Sequence, residues 1–222
     1  MCGRFTLQTD FDLLAEFYGI SDITMDFGYE FRYNIAPSQP VLAVVNDGHK
    51  NRFGYLKWGL VPSWANDAKI GYKMINARAE TLDTKPAFKS LLMRRRCVVV
   101  GDSFYEWKTE NGKKQPYRIK RKKSKPISFA GLWDRWEHKG DIIQTCTIIT
   151  TKPNSLMSNI HDRMPVILPK EKEAIWLDRS VVNKEDLKAL LIPYSDEDME
   201  AYPVSTLVNS PKNEGVHLIE SV

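Results

Sequence analysis

The feature that most constrains this chain is a succession of short β-forming runs, each closed by turn residues, with no regular strand–helix alternation. The clearest case is Asn111-Gly112, flanked by residues 104–108 and 116–120. Asn-Gly readily takes the two positive-φ positions of a tight hairpin turn, so these runs are expected to pair. Residues 41–45 form a second candidate strand, Asn46-Asp47-Gly48 supplies the turn, and residues 53–60 return beside it. Further strands are expected at 97–100, 127–132, 145–150 and 202–208. Helices are expected at 9–18, with Thr9 as cap, Asp12 at the capping-box position and Gly19 at the end. Others are expected at 85–94, with Pro86 in the first turn, near 155–160, at 171–177, and at 184–191 behind Asn183. Many short strands mixed with short helices, without βαβ repetition, argue against a Rossmann-type fold. They predict an α+β chain, a single domain over residues 1–222, with a largely antiparallel, barrel-like β core flanked by short helices. Residues from Asn213 onward are expected to be loosely held.

Composition narrows the class. Hydrophobic residues make up 42% and charged residues 27% of the 222, which is ordinary for a globular domain. No apolar run is long enough to span a bilayer, and Arg4, Asp10 and Asp12 interrupt any reading of the N-terminus as a signal peptide. A soluble, cytoplasmic protein is expected. The three cysteines are an odd number, which argues against a disulfide framework. Cys97 and Cys146 sit in β-branched runs and read as small buried hydrophobes. No Cys/His pair has zinc-finger spacing, so no metal or other cofactor is expected. The net charge of +4 hints only weakly at an anionic partner. Basic residues cluster at Arg94-Arg95-Arg96 and over 118–125, and the second cluster is expected to be a solvated strand edge.

Met1-Cys2-Gly3 is chemically distinctive. A small second residue permits removal of Met1, which leaves an α-amine and a thiol on adjacent carbons of Cys2. Their reference pKa values, about 7.7–8.0 and 8.5, leave usable nucleophile near neutral pH. An amine condenses with an aldehyde to an imine, and the neighbouring thiolate then closes onto the imine carbon as a five-membered thiazolidine. Proximity makes that second step effectively intramolecular. The same pair also suits an N-terminal nucleophile hydrolase, in which the amine is the base and the thiol attacks an amide.

Partners for Cys2 emerge from an ordered set of motifs: Met1-Cys2-Gly3-Arg4-Phe5, Met74-Ile75-Asn76-Ala77-Arg78-Ala79-Glu80, Phe104-Tyr105-Glu106-Trp107 and His161-Asp162-Arg163-Met164-Pro165. Between them lie Tyr33-Asn34-Ile35-Ala36-Pro37, Trp58-Gly59-Leu60-Val61-Pro62-Ser63-Trp64 and Phe129-Ala130-Gly131-Leu132-Trp133. Together they resemble the SOS response-associated peptidase (SRAP) family over essentially the full chain. The resemblance implies recognition of abasic sites in single-stranded DNA and cross-linking to them through the N-terminal cysteine. An opened abasic deoxyribose carries the aldehyde that Cys2 requires. It also implies removal of Met1, autocatalytic in some members, and a monomer associated with the nucleoid in a bacterium. Weak lyase activity through the imine is a further expectation.

On this resemblance Asn76, Glu106 and His161 join Cys2 as the catalytic set. Glu106 lies between two aromatic residues and, on a strand, points away from both; desolvation there raises its pKa and suits it to proton transfer. His161 suits a proton or a sugar hydroxyl, and Asn76 offers a donor and an acceptor. Alternatives from the residues alone are a surface carboxylate, an exposed histidine and a turn-stabilising amide. Arg4, Arg78 and Arg163 are expected to bind DNA phosphates, with salt bridges as the alternative. Trp64 and Trp107 are candidate platforms for bases, Pro40 and Val41 a candidate wedge beside the lesion, while Trp58 and Trp133 are assigned to the core. Competing with this reading are an amidotransferase-like hydrolase and a non-covalent single-strand binder.

Overall fold

A computed structural model describes residues 2–21, 28–123 and 125–222. The α+β architecture expected above is the one observed. A closed barrel lies at its centre. It is built from β3 (Pro40–Asn46), β4 (Asn51–Trp58), β6 (Arg96–Gly101), β9 (Ile127–His138) and β10 (Asp141–Thr151). The ring runs β10-β4-β3-β6-β9 and closes through β9 pairing back onto β10. Pairing is antiparallel throughout except between β4 and β10. Two short strands, β5 (Asn76–Arg78) and β11 (Met164–Pro165), add to β10.

A second sheet leans on the barrel, in the order β12-β8-β7-β1-β2. Its strands are β1 (Phe5–Leu7), β2 (Arg32–Ile35), β7 (Ser103–Glu110), β8 (Lys113–Arg121) and β12 (Met199–Pro203). The β7–β8 hairpin turns at Asn111 and Gly112, whose φ values of 50° and 76° are what an Asn-Gly turn supplies. Chain passes from barrel to sheet at Gly101. A Cβ there would sit 2.6 Å from the Phe129 ring and 3.1 Å from that of Phe5, so only glycine lets β6 run into β7 beneath those aromatics. Phe5 packs edge-on against Trp58 and Phe129, at centroid distances of 5.2 and 5.6 Å, and locks β1 to the barrel. Burying each such ring contributes about 1.5–3 kcal/mol.

Five short helices cover the outside: α1 (Phe11–Tyr18), α2 (Pro86–Arg94), α3 (Ser155–Ser158), α4 (Lys170–Leu177) and α5 (Lys184–Ala189), as counted among the described residues. α2 buries Phe88, Leu91 and Leu92, and Asn183 caps α5 as expected. Trp176 of α4 donates its indole N–H to the Cys97 carbonyl and closes over β6, all six residues of which are buried. Cys97 and Cys146 are buried and unbridged within strands. Among the described residues no helix is long and apolar enough to cross a membrane.

Several expectations need correction. Asp10, not Thr9, caps α1, because the Thr9 hydroxyl is engaged by the Asp102 carboxylate. The short strands β1 and β2 were not anticipated, and β9 and β10 extend into one long hairpin through Lys139 and Gly140. The last strand lies earlier than 202–208: after Pro203, Ser205 caps a 3-10 turn over Thr206–Asn209. The cluster at 118–125 is no free edge, since β8 is paired with β7 on one side and β12 on the other. Arg118 is buried there between the Ser103 and Tyr202 hydroxyls. Residues from Asn213 are held rather than loose. Glu214 accepts from Arg32 Nε and the Tyr33 N–H, Leu218 is fully buried, and Ser221 bridges Val204.

Candidate active site

The site forms where the start of the chain crosses from the sheet to the barrel. β1 pairs with β7 in the register Phe5↔Phe104, and the Arg4 carbonyl accepts the Tyr105 N–H at 2.9 Å. Continued one residue back, that register carries Gly3 alongside Glu106. Strand alternation turns Tyr105 and Trp107 toward the C-terminal segment, where they cluster with Val208. Glu106 faces the other way and is 2% exposed.

Cys2 is fully buried here. Its carbonyl accepts a hydrogen bond from Asn76 Nδ2 at 2.8 Å. Asn76 is placed by β5, which runs parallel to β10 in the register Asn76↔Ile148. The buried indole of Trp58 donates to the Ile75 carbonyl at 2.8 Å and fixes the residue before it. His161 arrives from the barrel's other flank. Asn154 caps α3, the His161 N–H returns to the Met157 carbonyl at 2.8 Å, and β11 then rejoins β10. The ring's Nε2 stands 3.9 Å from Glu106 Oε2. So β5, β7, the α3–β11 connection and the residues before β1 bring all four expected catalytic residues together.

The electrostatics of the group follow from burial. Desolvation pushes the Cys2 thiol well above its usual range, and the nearby Glu106 charge adds to the effect. Desolvation also raises the Glu106 carboxyl, with His161 among the groups opposing it. Both therefore hold protons more firmly than in water, which makes Glu106 a stronger base than an exposed glutamate. His161 Nδ1 accepts the Arg163 N–H at 3.0 Å and lies 2.9 Å from Asp162 Oδ1. Both contacts meet the same ring nitrogen, which leaves Nε2 on the side facing Glu106. The site thus holds a thiol, a carboxyl and an imidazole able to pass protons among them, beside a side-chain amide.

The arginines meet different fates. Arg4 donates to Asn34 Oδ1 and the Val208 carbonyl, each at 2.6 Å, and lies against Trp107. Arg163 grips Glu80 through two bonds of 2.7 and 2.9 Å and also donates to the Thr150 carbonyl. Arg78 is exposed, and among the described residues no hydrogen bond or ion pair engages its guanidinium. Trp64 is 61% exposed. Trp107 is half-buried and donates its indole N–H to Asn209 at 2.7 Å. Pro40 is exposed, but Val41, expected beside it as part of a wedge, is buried in the barrel wall and offers no surface.

Beside Asn76 opens a cavity of about 380 Å³, lined among others by Trp64, Met74, Arg78, Phe88 and Thr150. Glu80 was not singled out from the sequence. Its only signal was its place four residues after Asn76 in a matched motif. It joins the β5 segment to the His161 segment through Arg163.

Comparison with known proteins extends these observations. The family model described as SOS response associated peptidase (SRAP) matches residues 1–211. The chain is 55% identical over 223 residues to abasic site processing protein YoqW of Bacillus subtilis, covering 100% of both. It is 33% identical to abasic site processing protein YedK of Escherichia coli, again over 100% of both chains. Its fold is similar to the crystal structure of a protein from Bacteroides thetaiotaomicron, with TM-score 0.86, 29% identity and full coverage of both.

Proposed function

The chain belongs to the SOS response-associated peptidase family, and on that premise we propose that it captures abasic sites in single-stranded DNA as a thiazolidine on Cys2. Removal of Met1 frees the α-amine, a step that the protein itself catalyses in this reading. The amine adds to the C1′ aldehyde of the opened sugar and water leaves, giving an imine. The thiol sulfur then bonds to the imine carbon while its proton ends on the nitrogen, closing the ring. The new ammonium on Cys2 lowers the thiol's pKa through its adjacent charge, and Glu106 accepts the proton that must leave. His161 returns protons to the sugar and to departing water. Asn76 holds the Cys2 backbone so that amine and sulfur face the aldehyde together. The exposed Arg78 and Trp64 hold the strand, and Arg4, Arg163, Trp107 and Pro40 lie close to its path. The adduct shields the lesion during the response to DNA damage, and elimination from the imine gives a weak lyase activity. The protein acts as a monomer in the cytoplasm, at the nucleoid in a bacterium.

The observation that carries the reading is the convergence of Asn76, Glu106 and His161 on a buried Cys2. An exposed nucleophile with no partners would not support it. The test is incubation with single-stranded DNA bearing one abasic residue, followed by denaturing electrophoresis. The parent protein gives a stable adduct. Cys2→Ala, which keeps the amine, forms at most a hydrolysable imine trapped only by reduction. An equally stable unreduced adduct from Cys2→Ala would defeat the mechanism.

A further inference from the structure

The cavity beside Asn76 has the size of a small-molecule site: its volume of about 380 Å³ falls in the usual range of about 300–1,000 Å³. Phe88, buried, and Met74, half-buried, give it apolar lining. Asn76 joins it to the nucleophile, because the same side chain lines the cavity and holds the Cys2 carbonyl through Nδ2. The other polar atom of that amide, Oδ1, is buried and accepts no hydrogen bond. A ligand hydroxyl therefore finds an open acceptor one side chain away from Cys2.

Three cations also line the cavity, Lys73, Arg78 and Lys85. All are exposed, and none is in an ion pair among the described residues. No carboxylate is among the described lining residues. The first residues of α2, Pro86 and Ala87, border the same space, and no side chain caps that helix start. Its free N–H groups and partial positive charge add to the field of the cations. Charges of one sign gathered without a counter-ion repel one another, and a phosphate relieves that repulsion. Nothing in this arrangement requires the aldehyde to belong to a strand. The amine and thiol need an accessible carbonyl carbon, Asn76 Oδ1 needs a hydroxyl, and the cations need a phosphate a few atoms away.

We propose that the protein, once Met1 is removed, also captures free small α-hydroxyaldehydes that carry a phosphate, as thiazolidines on Cys2. This rests on the reading of Cys2 as a thiazolidine-forming nucleophile and names a second substrate class for it. The amine adds to the carbonyl carbon and one water leaves. The sulfur then bonds to that carbon and the thiol proton ends on the nitrogen, so no oxidant or reductant enters. The α-hydroxyl donates to Asn76 Oδ1, and the phosphate lies against Lys73, Lys85 and the start of α2. A chain so modified keeps neither a primary amine nor a thiol at Cys2, so these aldehydes compete with DNA for the site.

The probes are D-glyceraldehyde 3-phosphate and D-glyceraldehyde, which share the aldehyde and the α-hydroxyl and differ in the phosphate. Unreduced intact mass spectrometry follows each reaction, with the dipeptide Cys-Gly as the unfolded reference and Cys2→Ala as the background from other amines. The parent should gain one probe minus one water. Relative to the dipeptide, it should prefer the phosphate ester in rate by about 10- to 150-fold, the range for one hydrogen bond to a charged group. Lys73→Ala with Lys85→Ala should bring that preference close to one; both side chains are exposed, so an unchanged melting temperature confirms the fold. Pre-treated parent should lose cross-linking to abasic single strands in proportion to the adduct formed. No preference in the parent, an undiminished preference in the double variant, or an adduct that leaves cross-linking intact overturns the proposal. So does a missing phosphate-ester adduct in protein that still cross-links abasic DNA, which leaves the Cys2 reading standing. Failure with every aldehyde, abasic DNA included, would remove the Cys2 reading and this proposal with it.

Discussion

Glu106 shows how burial makes a residue useful and expensive together. Its carboxyl gives up a proton less readily in the folded chain than in the unfolded one. It therefore favours folding at low pH, and that contribution is lost as pH rises from the unfolded carboxyl's range, about 4.3, through the folded value. Above both, the ionised carboxylate is a constant penalty. Glu106→Gln removes it. The variant should melt at least as high as its parent at pH 7, and the difference should vanish below about pH 4. Its rate of adduct formation should fall about 10²- to 10⁴-fold, the usual worth of a positioned acid or base. Calorimetry and single-turnover gels measure the two effects separately; a lower melting temperature at pH 7 would show that the carboxylate's partners outweigh its burial. The position of Glu106 between Tyr105 and Trp107 made its inward orientation readable from strand alternation. The fate of Arg4 was not readable, because its acceptor at Val208 lies 204 residues away.

Among the elements, local chemistry was legible and pairing across the chain was not. Asn111-Gly112 dictates its own hairpin, Asn183 its own helix start, and the β-branched run at 97–100 its own burial. β1 and β2 have three and four residues, too few for a periodic pattern, and they exist because they pair with each other and with β7. The basic run on β8 looked like an edge because nothing in it foretells β12, which arrives some eighty residues later to cover it. The Glu80–Arg163 clasp is the same kind of non-local link, and it carries a prediction. Glu80 is exposed, so its ion pair should contribute no more than about 1 kcal/mol to stability. Yet Arg163 presents the N–H that His161 Nδ1 accepts. Glu80→Gln should leave the melting temperature within a few degrees and alter the pH profile of adduct formation, with Glu80→Asp restoring part of it. A pH profile that matched the parent's would reduce the clasp to a surface salt bridge.

At the scale of the whole molecule, the two ends of the chain build one structure. The stretch after β12 crosses the sheet: Asn34 donates to the Ser210 and Asn213 carbonyls, Tyr105 to those of Tyr33 and Leu218, and Trp107 to Asn209. This strap backs the strands that place Cys2 and Glu106. In sequence it reads as a loose tail, since the apolar run around Leu218, Val216 to Ile219, is too short for any periodicity to mark it. Leu218→Ala should cost about 2–3 kcal/mol, the low end for a buried leucine near a chain end that can relax. For a domain this size that lowers the melting temperature by roughly 4–12 °C, which thermal denaturation followed by circular dichroism would register. An unchanged melting temperature would mean that the strap is ornamental. The central claim concerns the other end, and intact mass spectrometry under denaturing, unreduced conditions tests it most directly. After incubation with an abasic single strand, the account predicts one new species: the chain without Met1, plus one oligonucleotide, minus one water. An adduct of the same stability on a chain that retains Met1, whose Cys2 nitrogen is still an amide, would contradict it.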